Sequence, residues 1–219
     1  GEVVTSLQVI FLIDWYFVRQ ELLLDKNEYL PYHQADNNVI VQTVTSGPDS
    51  DWASIQQSYF TLINMAKRYV FISTPYFMPG ETTLNSLKTA AMSGVDVRLL
   101  LPHKSDSWLT HWCARSYVEE LLEAGVKIYE YQPGFLHAKS FVSDDEIGVV
   151  GTINLDYRSL YLHFEDGVWI YRNRVIQDIK DDFIQTMEYC RQIEPEFCLN
   201  RNIGLRIMQN IFRAFAPLM

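Results

Sequence analysis

The feature that most constrains the fold of this 219-residue chain is an alternation of short β-branched runs with helical stretches between Val39 and Tyr131. Val39–Thr45 reads as a strand closed by Ser46-Gly47-Pro48, and Asp51 is placed to cap a helix reaching about Lys67. Strands follow at Tyr69–Ser73, Val95–Leu101 and Val126–Tyr131, with helices at Leu84–Met92 and Ser107–Ala124 between them. Gly94 and Gly125 each precede a strand, where a helix ends most easily on a residue that tolerates positive φ. A further strand from Gly167 to Tyr171 and a long helix from about Val175 to Ile193 complete the pattern. Strands separated by helices indicate an α/β sandwich around a mixed sheet. In such sheets ligands sit at the carboxyl ends of strands, so the loops Thr74–Pro79 and Pro102–Trp108 are expected to wall a site. Tyr76, Phe77, Met78 and Trp108 are the large apolar side chains there that could bind a substrate.

The polar groups of that site are concentrated between Phe135 and Glu165. His137, Lys139 and Asp144 form H-x-K-x-x-x-x-D, and after six intervening residues Gly151, Thr152 and Asn154 form G-T-x-N. At average residue usage the joint pattern arises by chance in on the order of one chain in 10⁵ of this length. Leu136, Ala138, Ser140 and Val142 alternate with His137, Lys139 and Phe141, which is the period of a strand. An imidazole and an ammonium then share one face about two residue rises apart, a place for an anion. Asp144-Asp145-Glu146 reads as a hairpin turn and Ile147–Val150 as the return strand. Gly151 is expected to let the backbone approach a ligand, and Asn154 to donate its amide to a phosphate oxygen.

A neutral imidazole can attack phosphorus while a second histidine protonates the leaving alkoxide. The attacking ring must be held in one tautomer by a carboxylate, for which Glu165 is preferred and Asp144 is the other candidate. Asp144 is expected mainly to support the motif from within its turn. Taken singly, each of these residues has an ordinary explanation: a packed histidine, a surface lysine, a solvated turn, a loop asparagine. Their order and spacing together do not.

This constellation resembles the signature of the phospholipase D superfamily, with Thr152 at a position usually serine. Ser73–Pro79, Gly94–Arg98, Leu101-Pro102, Ser105-Asp106, Phe11–Trp15 and Phe212–Met219 make the chain most similar to bacterial cardiolipin synthases. The resemblance implies a phospholipase D-like α/β/α sandwich around a mixed sheet. It implies phosphatidyl transfer through a phosphohistidine, making cardiolipin from two phosphatidylglycerol molecules with release of glycerol, and neither metal nor cofactor. His137 would be nucleophile or general acid/base, Lys139 and Asn154 phosphate ligands, Thr152 their assistant, Glu165 the partner of His137, and Asp144 a support. A phospholipase D or phosphatidylserine synthase would use the same groups, as would a dimeric one-motif nuclease.

Family enzymes of this kind carry two such motifs, and here there is one. The remaining histidines, His33, His103, His111 and His163, are not followed by lysine two residues on. The chain begins at Gly1 and moves at once into an apolar helical pattern, so it reads as the C-terminal half of a protein about twice as long. On that expectation residues 1–38 are a helix and connection from a preceding lobe, 39–195 the catalytic lobe, and 196–219 an amphipathic tail. The second motif would come from the preceding lobe or from a second copy of the chain in a homodimer.

A net charge of -9 argues against nucleic acid, whose partners cluster Lys and Arg. Yet Cys198–Met219 holds Arg201, Arg206 and Arg213 and no acid, with Ile203, Ile207, Ile211 and Phe215 recurring every fourth residue. That is an amphipathic helix suited either to a membrane surface or to docking on the core. No stretch reaches the roughly 20 apolar residues of a membrane span. Three cysteines without metal-ligand spacing fit a reducing compartment with no disulfide. The expected location is therefore the cytoplasmic face of the cell membrane, peripheral here, with any anchor in the preceding part.

Overall fold

The structure, a computed structural model, describes residues 1–30, 39–195 and 203–218. His33, Cys198, Arg201 and most of the Asn27–Asn38 connection lie outside the described residues. The strands are β1 (Ile40–Ser46), β2 (Tyr69–Ser73), β3 (Phe77–Met78), β4 (Asp96–Pro102), β5 (Lys127–Tyr131), β6 (Ser140–Ser143), β7 (Ile147–Gly151), β8 (Leu155–Asp156), β9 (Glu165–Tyr171) and β10 (Cys190–Ile193). The helices are α1 (Glu2–Arg19), α2 (Lys26–Tyr29), α3 (Ser54–Met65), α4 (Glu81–Met92), α5 (Trp108–Ser116), α6 (Val118–Glu123), α7 (Val175–Met187) and α8 (Ile203–Ala214).

Eight strands form one mixed sheet in the order β1-β9-β7-β6-β2-β4-β5-β10, and β3 with β8 makes a small parallel pair beside it. β2, β4 and β5 are parallel, because each connection between them contains a helix; the hairpin-linked β6 and β7 and the outer strands run antiparallel. All five residues of β2 are buried, as a central strand covered on both faces requires. Val70 and Ile72 point into one core with Leu84, Leu87 and Leu121, while Tyr69 and Phe71 point into the other with Ile176 and Phe183. Leu99 and Leu100 of β4 divide in the same way. Period-two burial into two separate cores makes this the three-layer α/β/α sandwich expected from the sequence.

Gly94 and Gly125 take φ of 93° and 91° where helices hand over to strands, as read from their positions. Three local expectations are corrected. Asp51 does not cap α3; the helix starts at Ser54 behind Ala53, with no side-chain cap. The stretch Ser107–Ala124 breaks into α5 and α6 at Tyr117, where Ser116 Oγ bonds back to the Cys113 carbonyl at 2.6 Å and the Tyr117 ring turns edge-on to Phe77. The helix expected to reach Ile193 stops at Met187, and Cys190–Ile193 instead closes the sheet edge against β5. There Arg191 sits opposite Glu130 and pairs with it at 2.8 Å, so a buried carboxylate favours the strand over another helical turn.

Candidate active site

The pairings bring one set of loops to one end of the sheet. Ser140 at the start of β6 lies beside Ser73 at the end of β2 and Val150 near the end of β7. Gly151 lies opposite Gly167 near the start of β9. The H-x-K segment, the G-T-x-N loop and Glu165 therefore leave three adjacent strands at the same edge, beside the loop that follows β2.

His137 is exposed in the extended segment before β6, its ring 5.5 Å from that of Phe135, which in turn lies 6.2 Å from Tyr76. Lys139 is half-buried and donates to the His137 carbonyl at 3.0 Å, which fixes the path of the chain between the two side chains. Burial lowers the Lys139 pKa, opposed by the negative charges of Glu165 and Asp156. Those two acids are the local counter-charges of the ammonium.

Glu165 is tied down from elsewhere than His137. Its Oε1 accepts from Ser159 Oγ at 2.8 Å and lies 3.8 Å from His163 Nδ1, and its Oε2 accepts from Thr152 Oγ1. No hydrogen bond joins it to His137 among the described residues. The Thr152 hydroxyl also accepts from the Asp166 amide at 3.1 Å, so it buttresses Glu165 rather than facing outward as a phosphate ligand. Asn154 Nδ2 donates to Ser159 Oγ at 3.1 Å. Since that hydroxyl gives its proton to Glu165, the amide must present nitrogen to it, and its second N–H remains for another acceptor.

Asp144 is not at this site. It stands at the far end of β6, seven residues of extended chain or about 23 Å from His137. Its carboxylate accepts from the backbone N–H groups of Lys67, Arg68 and Tyr69 at 2.7, 2.9 and 2.9 Å. It is therefore too far away to hold the His137 ring, and instead clips the β6–β7 turn to the strand entering from α3. With φ of 57° and 59°, Asp144 and Asp145 form the turn in the left-handed region that Asp tolerates better than most residues.

Gly151 also differs from expectation. A Cβ there would meet the Asp166 carbonyl at 2.3 Å and Gly167 Cα at 2.6 Å, so the close approach it permits is to β9. Of the three aromatic side chains read as substrate-binding, Tyr76 is half-buried beside Phe135, and its hydroxyl bonds Asp106 at 2.5 Å. Burial, then Asp106, pushes its pKa up to about 12. Phe77 is 1% exposed within the core, and at most floors the cavity under Tyr76. Trp108 is 67% exposed at the head of α5 and does not line that cavity.

Sequence reasoning missed Ser159, Asp156 and His163. Ser159 is fully buried at the start of a single π-helical turn, Arg158–Leu162, and Asp156 Oδ1 accepts its N–H at 2.8 Å. Burial, then the charge of Glu165, raises the pKa of Asp156. The available signal was weak: Asp156, Ser159 and His163 stand singly among the leucines and aromatics of Leu155–Phe164. Thr74, 1% exposed, locks the whole assembly to β2 by accepting from the Leu155 amide at 3.2 Å. On its other side Glu165 borders a cleft of about 150 Å³ with Asp14, Asp49 and Asp166. So many acids repel a phosphate, leaving the Lys139 side as the one suited to an anion. Among the described residues no group of His, Cys, Asp and Glu is arranged to hold a metal ion.

A three-layer sandwich with an H-x-K segment and a G-T-x-N loop on neighbouring strands defines a phospholipase D-like lobe. Its fold matches the phospholipase D family member Nuc from Salmonella typhimurium with a TM-score of 0.62, at 15% identity over 72% of this chain and 99% of that one. It matches phosphatidylserine synthase from Haemophilus influenzae Rd KW20 at 0.64, with 17% identity over 87% of this chain and 47% of that one. Residues 59–187 match the family described as the PLD-like domain of cardiolipin synthase, and the chain belongs to that family. Cardiolipin synthase of Geobacillus kaustophilus (strain HTA426) is 42% identical over 221 residues, covering 100% of this chain and 44% of that protein. That of Clostridium perfringens (strain SM101 / Type A) is 42% identical over 224 residues, covering 100% and 47%. The chain thus spans about half the length of these relatives.

Proposed function

We propose that this chain is a catalytic lobe of a phosphatidyltransferase that makes cardiolipin from two molecules of phosphatidylglycerol at a membrane surface, on its cytoplasmic face. The observation that carries the reading is the convergence of His137, Lys139, Asn154 and Glu165 from β6, β7 and β9 on one sheet edge. In the first step an imidazole nitrogen of His137 attacks phosphorus, the phosphorus–oxygen bond to glycerol breaks, and a second histidine gives the leaving alkoxide its proton. In the second step the hydroxyl of another phosphatidylglycerol loses its proton to that histidine and attacks, and the phosphorus–nitrogen bond breaks. Either histidine can fill either role.

Lys139 and the second N–H of Asn154 stabilise negative charge shifting onto the phosphoryl oxygens. Glu165, fixed by Thr152 and Ser159, holds the local field that keeps Lys139 charged, and would pair with a histidine once substrate draws the site together. The second histidine comes from outside these residues, in a preceding lobe or another copy of the chain. One phosphate ester is exchanged for another, so the reading needs neither a nucleotide nor a metal ion. The test is transfer from labelled phosphatidylglycerol by the full-length protein and its His137→Ala variant. Cardiolipin made by the first and lost in the second supports the reading. Free phosphatidate or phosphatidylserine as the product would move the assignment to another acceptor.

A further inference from the structure

α8 is held by one face and left bare on the other. Gln209, and Ala216 in the turn that follows the helix, are buried, and Phe212 lies edge-on to Trp108 at 5.6 Å with its carbonyl accepting from the Cys113 thiol at 3.7 Å. Arg213 lies 4.3 Å over the Tyr117 ring and pairs with Glu120. At 3.6 residues per turn, Ile207, Ile211 and Phe215 stack on the opposite side, with Met208 next to them. They are 58, 53, 50 and 40% exposed. An ordinary surface helix does the reverse, burying its apolar stripe and wetting its polar face. A contiguous exposed stripe of this kind marks an interaction surface.

Two observations identify the occupant. Trp108, at the carboxyl end of β4, stands at the same end of the sheet as His137 and touches α8 through Phe212, so the stripe continues to the rim of the site. In a chain of net charge -9, the segment Cys198–Met219 carries no acid and, besides Arg213 on the docked face, the two further arginines Arg201 and Arg206. Tryptophan beside a basic amphipathic helix is the composition that settles at the headgroup level of a bilayer. We infer that Ile207, Met208, Ile211 and Phe215, with Trp108 at their edge, dock this lobe on the surface of an anionic phospholipid bilayer. The docked lobe turns the His137 end of its sheet toward the headgroups. This rests on the lipid substrate proposed above, whose acyl chains stay in the bilayer while its phosphate reaches the imidazole.

The experiment is co-sedimentation of the 219-residue protein with vesicles of phosphatidylglycerol and phosphatidylcholine, against vesicles of phosphatidylcholine alone. The parent is expected to bind the anionic vesicles, and the Ile207→Ser/Ile211→Ser/Phe215→Ser variant to bind them about 100-fold more weakly with an unchanged circular dichroism spectrum. Ile207→Trp is expected to keep binding and to add a blue-shifted emission component on vesicle addition. His137→Ala is expected to bind like the parent, so that failure of catalysis and failure of docking are separate results. Equal binding by the triple variant, no binding by the parent, or loss of binding in His137→Ala overturns the proposal. So does a parent dimer, seen by sedimentation velocity, that the triple variant converts to monomer, since a second copy would then cover the stripe.

Discussion

Ser159 Oγ donates to Glu165 Oε1 at 2.8 Å while accepting from Asn154 Nδ2 at 3.1 Å, so one buried hydroxyl sets the position of both the amide and the carboxylate. Replacing it with alanine leaves a charged acceptor and a donor short of a partner. At about 1.5 kcal/mol for a hydrogen bond to a charged group, Ser159→Ala is expected to lower kcat of the full-length enzyme about 10-fold. Ser159→Thr should restore part of it. Steady-state transfer assays check this, and an unchanged kcat in the alanine variant would remove Ser159 from the positioning network.

Asp144 and Asp156 are expected to shift stability with pH in opposite directions. Hydrogen bonds from Tyr69, Lys67 and Arg68 outweigh burial and hold the Asp144 pKa below the ordinary carboxylate value, so its contribution is present above that value and lost as pH falls through the folded one. Asp156 is raised by burial, so the folded state holds its proton more tightly than the unfolded chain, and its cost is relieved as pH falls. Asp144→Asn should therefore destabilise by about 1–2 kcal/mol at pH 7, and less in acid. Asp156→Asn should be neutral or stabilising at pH 7 and lose any advantage in acid. Urea melts of the three proteins at neutral and acid pH decide it.

Gly151→Ala should cost about 3 kcal/mol, because the added methyl has only the β9 backbone to push against. In a protein of this size that lowers Tm by about 10 °C in calorimetry. A variant that melts normally but no longer binds lipid would instead return the glycine to the ligand-facing role first read for it.

Cys113 is fully buried, and burial raises its pKa to about 11. It is expected to resist alkylation at pH 8 in the native state and to react at once in denaturant. Mass spectrometry of iodoacetamide-treated protein would locate the label, and fast native labelling of Cys113 would mean that α8 lifts from α5.

The linear order of residues determined the sandwich, the two helix-to-strand glycines and the spacing of His137, Lys139, Asn154 and Glu165 along one stretch of chain. Periodicity and short-range spacing are properties of the chain itself, since alternate residues must face opposite sides of a strand whatever surrounds them. Tertiary structure decided the partners. Asp144 serves residues 75 to 77 positions away because β6 pairs with β2, and Gly151 meets Gly167 because β7 pairs with β9. Cys190–Ile193 pairs with β5, where Arg191 joins Arg115 and His103 around the buried Glu130 carboxylate. The apolar residues of α8 were legible as a stripe, but which side of the helix met α5 was not. A helix can dock by either face, and the choice here was made by Phe212 and Arg213 finding Trp108, Tyr117 and Glu120.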